Sequence, residues 1–328
     1  MEPTERPPGI HPSRRQLIAL GVGAFVVAAA PFLRRRGARL VRRTVPVMGT
    51  IAELGVVHDD PVAGHAAIDA AVAELRRVEW MMSRYSPTSD VGRANRLAAR
   101  DAVDVSPSTV AVLEAAIAWA IGSDGAFDPC IGRAVELWDV EHRTAPPPAG
   151  DVRRLAGRRL YRALDVDGGT RPRVRLTDRD AAIDLGGIAK GYGVDRAADA
   201  LRRRGIAQGI VNVGGDLYAI GHSDDGDPWR VGIRSPADPH ALTGTIDVAD
   251  AAVATSGDYE RFFEYRGRRY HHLLDPETAA PRVSAAHSVT IRASSCLAAD
   301  AAATAAFGLE REAARALLRS AAGSAALV

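Results

Sequence analysis

Eight residues, Asp184-Leu185-Gly186-Gly187-Ile188-Ala189-Lys190-Gly191, constrain this chain more than any other stretch. They predict a strand over residues 181–185 that breaks through two glycines into a helix. Glycine lets backbone approach a ligand closely, and a helix start offers unpaired amides and the positive end of a dipole to phosphate. Lys190 adds a mobile cation. The spacing matches neither the GxxxxGK[ST] of a Walker A loop nor the GxGxxG of a dinucleotide fingerprint. A glycine turn that packs strand on helix, with Lys190 solvated, uses the same residues.

A second stretch, Ala299-Asp300-Ala301-Ala302-Ala303-Thr304, reads as a helix with two hard oxygen ligands. Four residues apart, Asp300 and Thr304 share one helix face. A carboxylate and a hydroxyl, without sulfur or imidazole, suit a hard octahedral cation that also takes phosphate oxygens, which describes magnesium. Taken by itself the spacing equally suits a cap or a surface pair. Together the two stretches suggest a magnesium-diphosphate site. A third stretch, from Tyr270 through His271, His272 and Leu273 to Asp275-Pro276, reads as a strand ending in a turn. A histidine there can act as acid or base near neutral pH, but neighbours on a strand point to opposite faces, so one at most faces a given site. A satisfied polar pair at a turn is the other reading.

The rest of the pattern mixes strands and helices with hairpin-length gaps, which favours α+β over a doubly wound parallel sheet. Residues 45–57 have strand character around Met48-Gly49-Thr50, and Ile68, Val72, Leu75 and Val78 mark a helix running towards Met82. Residues 83–89 form a loop. Ser106-Pro107 opens a helix with Val110, Leu113, Ile117 and either Trp119 or Ile121 on its apolar face. A proline-rich connection over 144–150 leads to an Arg-rich helix, then a strand at 173–176. A helix over 192–204 ends at Gly205, and 209–220 alternates like a buried strand around Gly214-Gly215-Asp216. Further strands fall at 229–233, 242–248, 252–256, 262–265, 270–274 and 288–293, and the last helix starts near Leu297. No internal repeat is present.

Charge is nearly balanced, 42 Lys and Arg against 40 Asp and Glu, with the basic excess concentrated early. Those arginines flank an apolar run rather than forming a stripe with interleaved aromatics, which argues against nucleic acid and for an export or membrane signal. Arg14-Arg15 precedes an apolar run over 17–33, resembling a twin-arginine export signal. Residues 1–43 are therefore expected to be a twin-arginine-like signal or a membrane anchor with a basic flank, and 44–328 a single catalytic domain. Export places that domain on the extracytoplasmic face of the cytoplasmic membrane. Arginines at 34–36, 39, 42 and 43 pull towards the alternative, an uncleaved anchor with the domain inside. Cys130 and Cys296 lack CxxC spacing and a histidine pair, so zinc is not indicated. Buried free thiols are the default, with a disulfide open in an exported protein.

Jointly the motifs resemble the ApbE family, the FAD:protein FMN transferases. Met48-Gly49-Thr50, Ser83 to Ser89 with Asn95, Phe127-Asp128-Pro129 through Leu137-Trp138, the 184–191 stretch, Asn212 to Asp216, Ala254 to Tyr259, His272 to Pro276, and Ala299-Asp300 with Thr304 follow that family's order. The resemblance implies one T-fold-like α+β domain of mixed, largely antiparallel sheets with packed helices. It implies FAD as substrate, lying across Met48, Tyr85, Ala126, Phe127, Asp128, Asp184, Lys190, His272 and Leu273. Magnesium would be held by Asp300, Thr304 and a backbone carbonyl near Gly187. A Thr or Ser hydroxyl of a target protein would take FMN in phosphoester linkage, with AMP leaving. Lys190 would neutralise charge, and His272 would accept the proton, with Asp300 a possible sharer of that role.

Two positions depart from the family pattern. Ala279-Ala280 stands where a glycine is usual, and Ala303 stands where some relatives carry a carboxylate before the metal threonine. The chain also stops soon after its last helix, so a terminal strand is expected to be short or missing. No Asp-Gly-x-Thr-Gly-Ala-Thr acceptor motif occurs here, which implies a separate target, a membrane-linked or exported redox protein. Two alternatives remain at this point: an exported FAD-binding or flavin-donor accessory protein, and an FAD pyrophosphatase using water as acceptor.

Overall fold

The computed structural model describes residues 25–28, 39–238, 241–321 and 326–327. Arg14-Arg15 and most of the apolar run read as an export signal lie outside the described residues. Four residues of that run are described, as strand β1 (Phe25–Ala28). No helix among the described residues is long and apolar enough to cross a membrane.

The chain continues through β2 (Arg39–Val47), β3 (Thr50–His58), α1 (Pro61–Met82), α2 (Asp90–Leu97), β4 (Val103–Asp104), α3 (Pro107–Gly122), α4 (Gly132–Trp138) and α5 (Ala149–Leu155). A short 3-10 turn at Leu160–Ala163 leads to β5 (Leu164–Asp167), β6 (Arg173–Leu176) and α6 (Ala189–Arg203). Then come β7 (Gly209–Val213), β8 (Asp216–Ile220), β9 (Trp229–Arg234), β10 (Leu242–Val248), β11 (Ala251–Gly257), β12 (Phe262–Tyr265) and β13 (Arg268–His271). Last are β14 (Leu274–Asp275), β15 (Ala280–Pro281), β16 (Ser288–Ala293), α7 (Cys296–Ala306), α8 (Arg311–Ala321) and β17 (Ala326–Leu327).

Seven strands form one antiparallel sheet in the order β17-β16-β11-β8-β7-β3-β2. Its pleat explains the apolar runs. Val211, Val213, Tyr218, Ala252 and Ala254 face the helices, while Ile210, Leu217, Ala219 and Val253 face Trp229, Val231 and Val248 of the β1-β9-β10 sheet. Both faces of β7 and β8 are covered, so every residue of each is buried. Helices α1, α6 and α7 form the layer on the first face. The architecture is the expected α+β, with largely antiparallel sheets.

Local sequence sets each element. In α1, Asp60 accepts from the Val62 amide at 2.8 Å and Pro61 opens the helix, while Ile68, Ala71, Leu75 and Val78 recur on the buried face. In α3, Trp119 takes the inward place and Ile121 stays exposed. Met48 and Gly49 both have positive φ, 56° and 68°, giving the tight two-residue turn that suits a twisted hairpin. A methionine is strained there, and its amide is held at 2.8 Å by Glu79 Oε1 of α1.

Three expectations change. Residues 181–185 are extended but not a ladder strand; their only bridge is Ile131 with Ala182, a parallel one. The backbone bonds go elsewhere: both polar groups of Ile183 pair with the Asn95 side chain, at 2.6 and 2.8 Å, and the Asp184 amide donates to Pro129 O. The strand expected at 270–274 is cut after His271, because the Leu273 amide turns back to His271 Nδ1 at 3.2 Å. Helices α2, α4 and α8 were not anticipated. The terminal strand is short, two residues paired with β16. Both cysteines are free and buried.

Candidate functional site

Lys190 sits in the first turn of α6, where the amino-terminal residue Ile188 offers no side-chain cap to the amides. Its ammonium pairs with Asp216 Oδ2 and lies 3.5 Å from Asp300 Oδ1. Three elements converge here. Asp216 begins β8 directly after the Gly214-Gly215 turn, whose φ values of 55° and 93° require glycine. Asp300 comes from the middle of α7, and its Oδ2 accepts from the Gly191 amide at 3.0 Å. The side chains of Asp216 and Asp300 are 1% and 4% exposed, so two carboxylates and one ammonium share a nearly dry corner.

Burial and the neighbouring Asp300 push Asp216 up to about 8 against the pull of Lys190. Desolvation works against the Lys190 charge, but Asp216 and Asp300 more than offset it and hold the ammonium above its ordinary value. At neutral pH the corner therefore keeps Lys190 charged and favours a proton on Asp216, the expected response of a buried acid beside a like charge.

Gly187 and Thr304 lie against one another. A Cβ on Gly187 would stand 2.7 Å from Thr304 Oγ1, so only glycine lets this backbone lie against the hydroxyl. Helices α6 and α7 are pressed equally close, since a Cβ on Gly191 would stand 2.2 Å from Cys296 O. The alanine-rich face of α7 makes this possible. Gly187, Lys190, Asp300 and Thr304 are thus brought together. Among the described residues no group of three or more His, Cys, Asp or Glu suited to a metal is present.

The other predicted residues lie around this corner. Asp184 pairs with Arg84 Nε at 3.0 Å and accepts the Gly186 amide at 2.8 Å. Arg84 also lies over the Tyr85 ring, 4.4 Å from its centre, and Tyr85 is 70% exposed. Ala126 O is held by Arg282, which also donates to Ala305 O and Phe307 O at the end of α7. Phe127 is buried. Asp128 is not free to meet a ligand with its carboxylate: it accepts the amides of Cys130 and Tyr161, at 2.8 and 3.1 Å, and burial pushes it up to about 6. It shapes the turn that presents Ala126.

The adjacent histidines take different roles, His271 closing β13 and His272 lying just beyond it. His271 accepts the Leu273 amide at Nδ1, so Nε2 donates to Arg282 O at 2.9 Å, and the ring packs edge-on against Phe307. That makes it a core residue. His272 is partly buried, with Nδ1 3.3 Å from Arg261 O, which leaves Nε2 as the unprotonated nitrogen. Desolvation first, then Arg261, His271 and Lys190, lower it to about 3, so the ring is neutral. Leu273 packs at the edge of the main core.

Asp216 and Arg84 were not among the nominated residues. An acid immediately after a Gly-Gly turn, at the head of a wholly apolar strand, was the available signal for Asp216.

The ApbE family profile matches residues 48–328. The chain belongs to the ApbE family. It is 36% identical over 305 residues to the FAD:protein FMN transferase of Treponema pallidum, covering 87% of this chain and 83% of that one. The FAD:protein FMN transferase of Vibrio cholerae is 32% identical over 289 residues, covering 85% and 86%. Among solved structures, the ApbE protein of Thermotoga maritima superposes with a TM-score of 0.80 at 31% identity, covering 88% of this chain and 94% of that one. Flavin transferase ApbE from Vibrio cholerae gives 0.75 at 30%, covering 86% and 90%.

Proposed function

We propose that this chain is an FAD:protein FMN transferase, moving FMN from FAD to a Thr or Ser hydroxyl of a separate target protein. The observation that carries the reading is the convergence of Lys190, Asp216 and Asp300 beside the Gly187-Thr304 contact, on a family member that retains the motifs in order.

In the reaction, the acceptor oxygen bonds to the flavin-side phosphorus while the bridging P–O bond breaks, AMP leaves, and the hydroxyl proton goes to a base. Such transfers need positioning and charge neutralisation more than covalent help. Lys190, held charged by its two acids, places a fixed cation where diphosphate oxygens can reach it from the start of α6. Arg84 keeps Asp184 in place at the head of the glycine turn, and Tyr85 offers an open ring face to the flavin or adenine. Met48, Ala126, Phe127 and Leu273 contribute backbone and apolar surface to the same cradle. His272, neutral and with Nε2 unprotonated, is the proton acceptor, and the Asp300 carboxylate is the second candidate.

The donor set fits magnesium: a buried carboxylate, a hydroxyl, and a backbone that only glycine brings against it, all hard oxygen ligands. Asp300, Thr304 and a carbonyl near Gly187 would hold the ion, whose contribution is Lewis-acid neutralisation of developing phosphate charge. The paired arginines and apolar run at the amino terminus support export, and with it a membrane-linked or exported redox protein as the target.

The test is incubation of the full chain with FAD, Mg²⁺ and a peptide carrying an Asp-Gly-x-Thr-Gly-Ala-Thr segment, followed by mass spectrometry. FMN on the acceptor threonine with stoichiometric AMP, both lost in EDTA, is expected. AMP without labelling would replace the transferase by a pyrophosphatase, and FAD binding with neither product would replace it by a flavin carrier.

A further inference from the structure

Helices α6 and α7 exchange carboxylates. Asp300 of α7 reaches the Gly191 amide of α6 at 3.0 Å. One turn further along α6, Asp195 reaches back: its Oδ1 accepts the Cys296 amide at 2.7 Å and its Oδ2 the Leu297 amide at 2.9 Å. These are the first two amides of α7, which that helix cannot satisfy itself. Ser295, the N-cap residue, serves the third amide, that of Ala298, at 3.3 Å. Asp195 therefore caps a helix other than its own, and it does so on the helix that carries Asp300 and Thr304. Between the two exchanges lies the tightest point of the interface, Gly191 against Cys296 O.

We propose that Asp195 is a positioning residue for the metal site, fixing the axial register of α7 on α6 so that Asp300 and Thr304 face Gly187 and Lys190. The inference rests on the proposed reading of Asp300 and Thr304 as ligands. Its physical content is a lever: a helix rises about 1.5 Å per residue, so a slip of one residue moves both ligands out of bonding distance. A bidentate carboxylate on two amides is the strong form of a cap, because both acceptor bonds are charge-assisted.

The setting also gives a pH signature. Burial pushes Asp195 up to about 6; Asp199 on α6 adds to this and Arg202 opposes it, while the two amide bonds hold it down. The buried Cys296 thiol, itself pushed up by burial, is the other titratable group facing it across the interface. Below about 6 the carboxyl takes a proton and gives up one of its two amide bonds, so the cap loosens on the acid side.

The experiment uses the full chain without turnover. Free Mn²⁺ is counted by electron paramagnetic resonance as it is titrated into wild type, Asp195→Asn and Asp195→Glu, at pH 5.5 and 7.5, with circular dichroism to establish folding and FAD binding measured in EDTA. Asparagine keeps the shape but can accept only one amide. At pH 7.5 its Mn²⁺ dissociation constant should rise by about tenfold, the usual scale for losing a residue that orients a ligand. Metal-free FAD affinity should stay within about twofold, a level that leaves the rest of the cradle intact. Glutamate, which keeps the charge, should fall between wild type and asparagine. The wild-type loss of affinity at pH 5.5 should shrink in the asparagine variant. Equal Mn²⁺ affinity in wild type and Asp195→Asn overturns the inference while leaving the metal reading intact. Parallel losses of metal binding, FAD binding and thermal stability also overturn it, as a merely structural role. A wild-type chain that binds no Mn²⁺ overturns the metal reading and this inference with it.

Discussion

The 184–191 turn has an ion pair at each end, and the two differ in arithmetic. At the first end one acid meets one base: Asp184 pairs with Arg84, its other oxygen holds the Gly186 amide, and both side chains are mostly buried at 15% and 17% exposure. At the second end two acids meet one base, Lys190 between Asp216 and Asp300, with the acids drier still. At the balanced end each Asp184 oxygen has a partner, Arg84 or the Gly186 amide, and the pair serves geometry. The unbalanced end holds an acid in excess, which raises Asp216, and that excess is what a divalent cation would relieve.

The sharpest way to break this comparison is Asp300→Ala. It removes the excess acid while Asp216 still neutralises Lys190, so the chain should stay folded. Metal-dependent AMP release should fall by roughly a thousandfold, the scale of several kcal/mol of transition-state charge stabilisation. Undiminished turnover would sink the assignment of the unbalanced end as the chemical one. Lys190→Met tests the same corner from the other side. It leaves two buried carboxylates without their cation, and breaking a buried pair costs about 3–5 kcal/mol. Denaturant unfolding should therefore show a large loss that shrinks as pH falls, because Asp216, already raised by burial and Asp300, is raised further once the Lys190 charge is gone and takes up a proton the more readily.

Gly187→Ala acts between the two ends. The new Cβ would stand 2.7 Å from Thr304 Oγ1, so backbone or α7 must move. Overpacking of this kind costs about 1–3 kcal/mol, and the expected signature is a raised Mg²⁺ requirement at little change in FAD affinity. If the Mg²⁺ requirement is unmoved, the glycine serves packing alone.

His272 sharpens the contrast through pH. Its folded value near 3 lies below the ordinary 6.5, so the unfolded chain binds more protons between those limits. Its contribution to stability is complete above about 6.5 and is lost as pH falls towards 3, following the linkage sign for a depressed group. The rate should show no inflection near 6.5 that disappears in His272→Gln; such an inflection would mean the ring titrates normally and is not desolvated.

Much of this was readable in advance, for definite reasons. The hairpin at Met48-Gly49, the buried pair β7 and β8, and the helices α1, α3, α6 and α7 carry periodicity or capping residues that act locally. The placing of Gly187 beside Thr304 was implied only by the resemblance to the ApbE family. Residues 181–185 misread as a strand because an apolar run looks alike whether its amides meet a neighbouring strand or the side chain of Asn95, 88 residues away in sequence. Asp128 enters as a flavin contact only through the family resemblance, and its sequence neighbourhood does not show that its oxygens accept the amides of Cys130 and Tyr161. Asp216 escaped because its meaning depends on two partners that only the fold supplies.

The smallest effect is expected at the balanced end. Tyr85 is 70% exposed and touches Arg84 alone among the contacts that hold the turn, so Tyr85→Ala should leave the unfolding temperature nearly unchanged. Loss of an aromatic face against a flavin or adenine ring is worth about 1 kcal/mol, which is roughly a fivefold rise in KM for FAD with kcat preserved. A fall in kcat instead would place Tyr85 among the groups that act only in the transition state, and the division between a binding end and a chemical end of the turn would fail. Replacing Arg84 with Lys separates the two roles of the guanidinium, because a lysine can pair with Asp184 but cannot stack flat on Tyr85. KM for FAD should then move as it does in Tyr85→Ala while the Mg²⁺ requirement stays put.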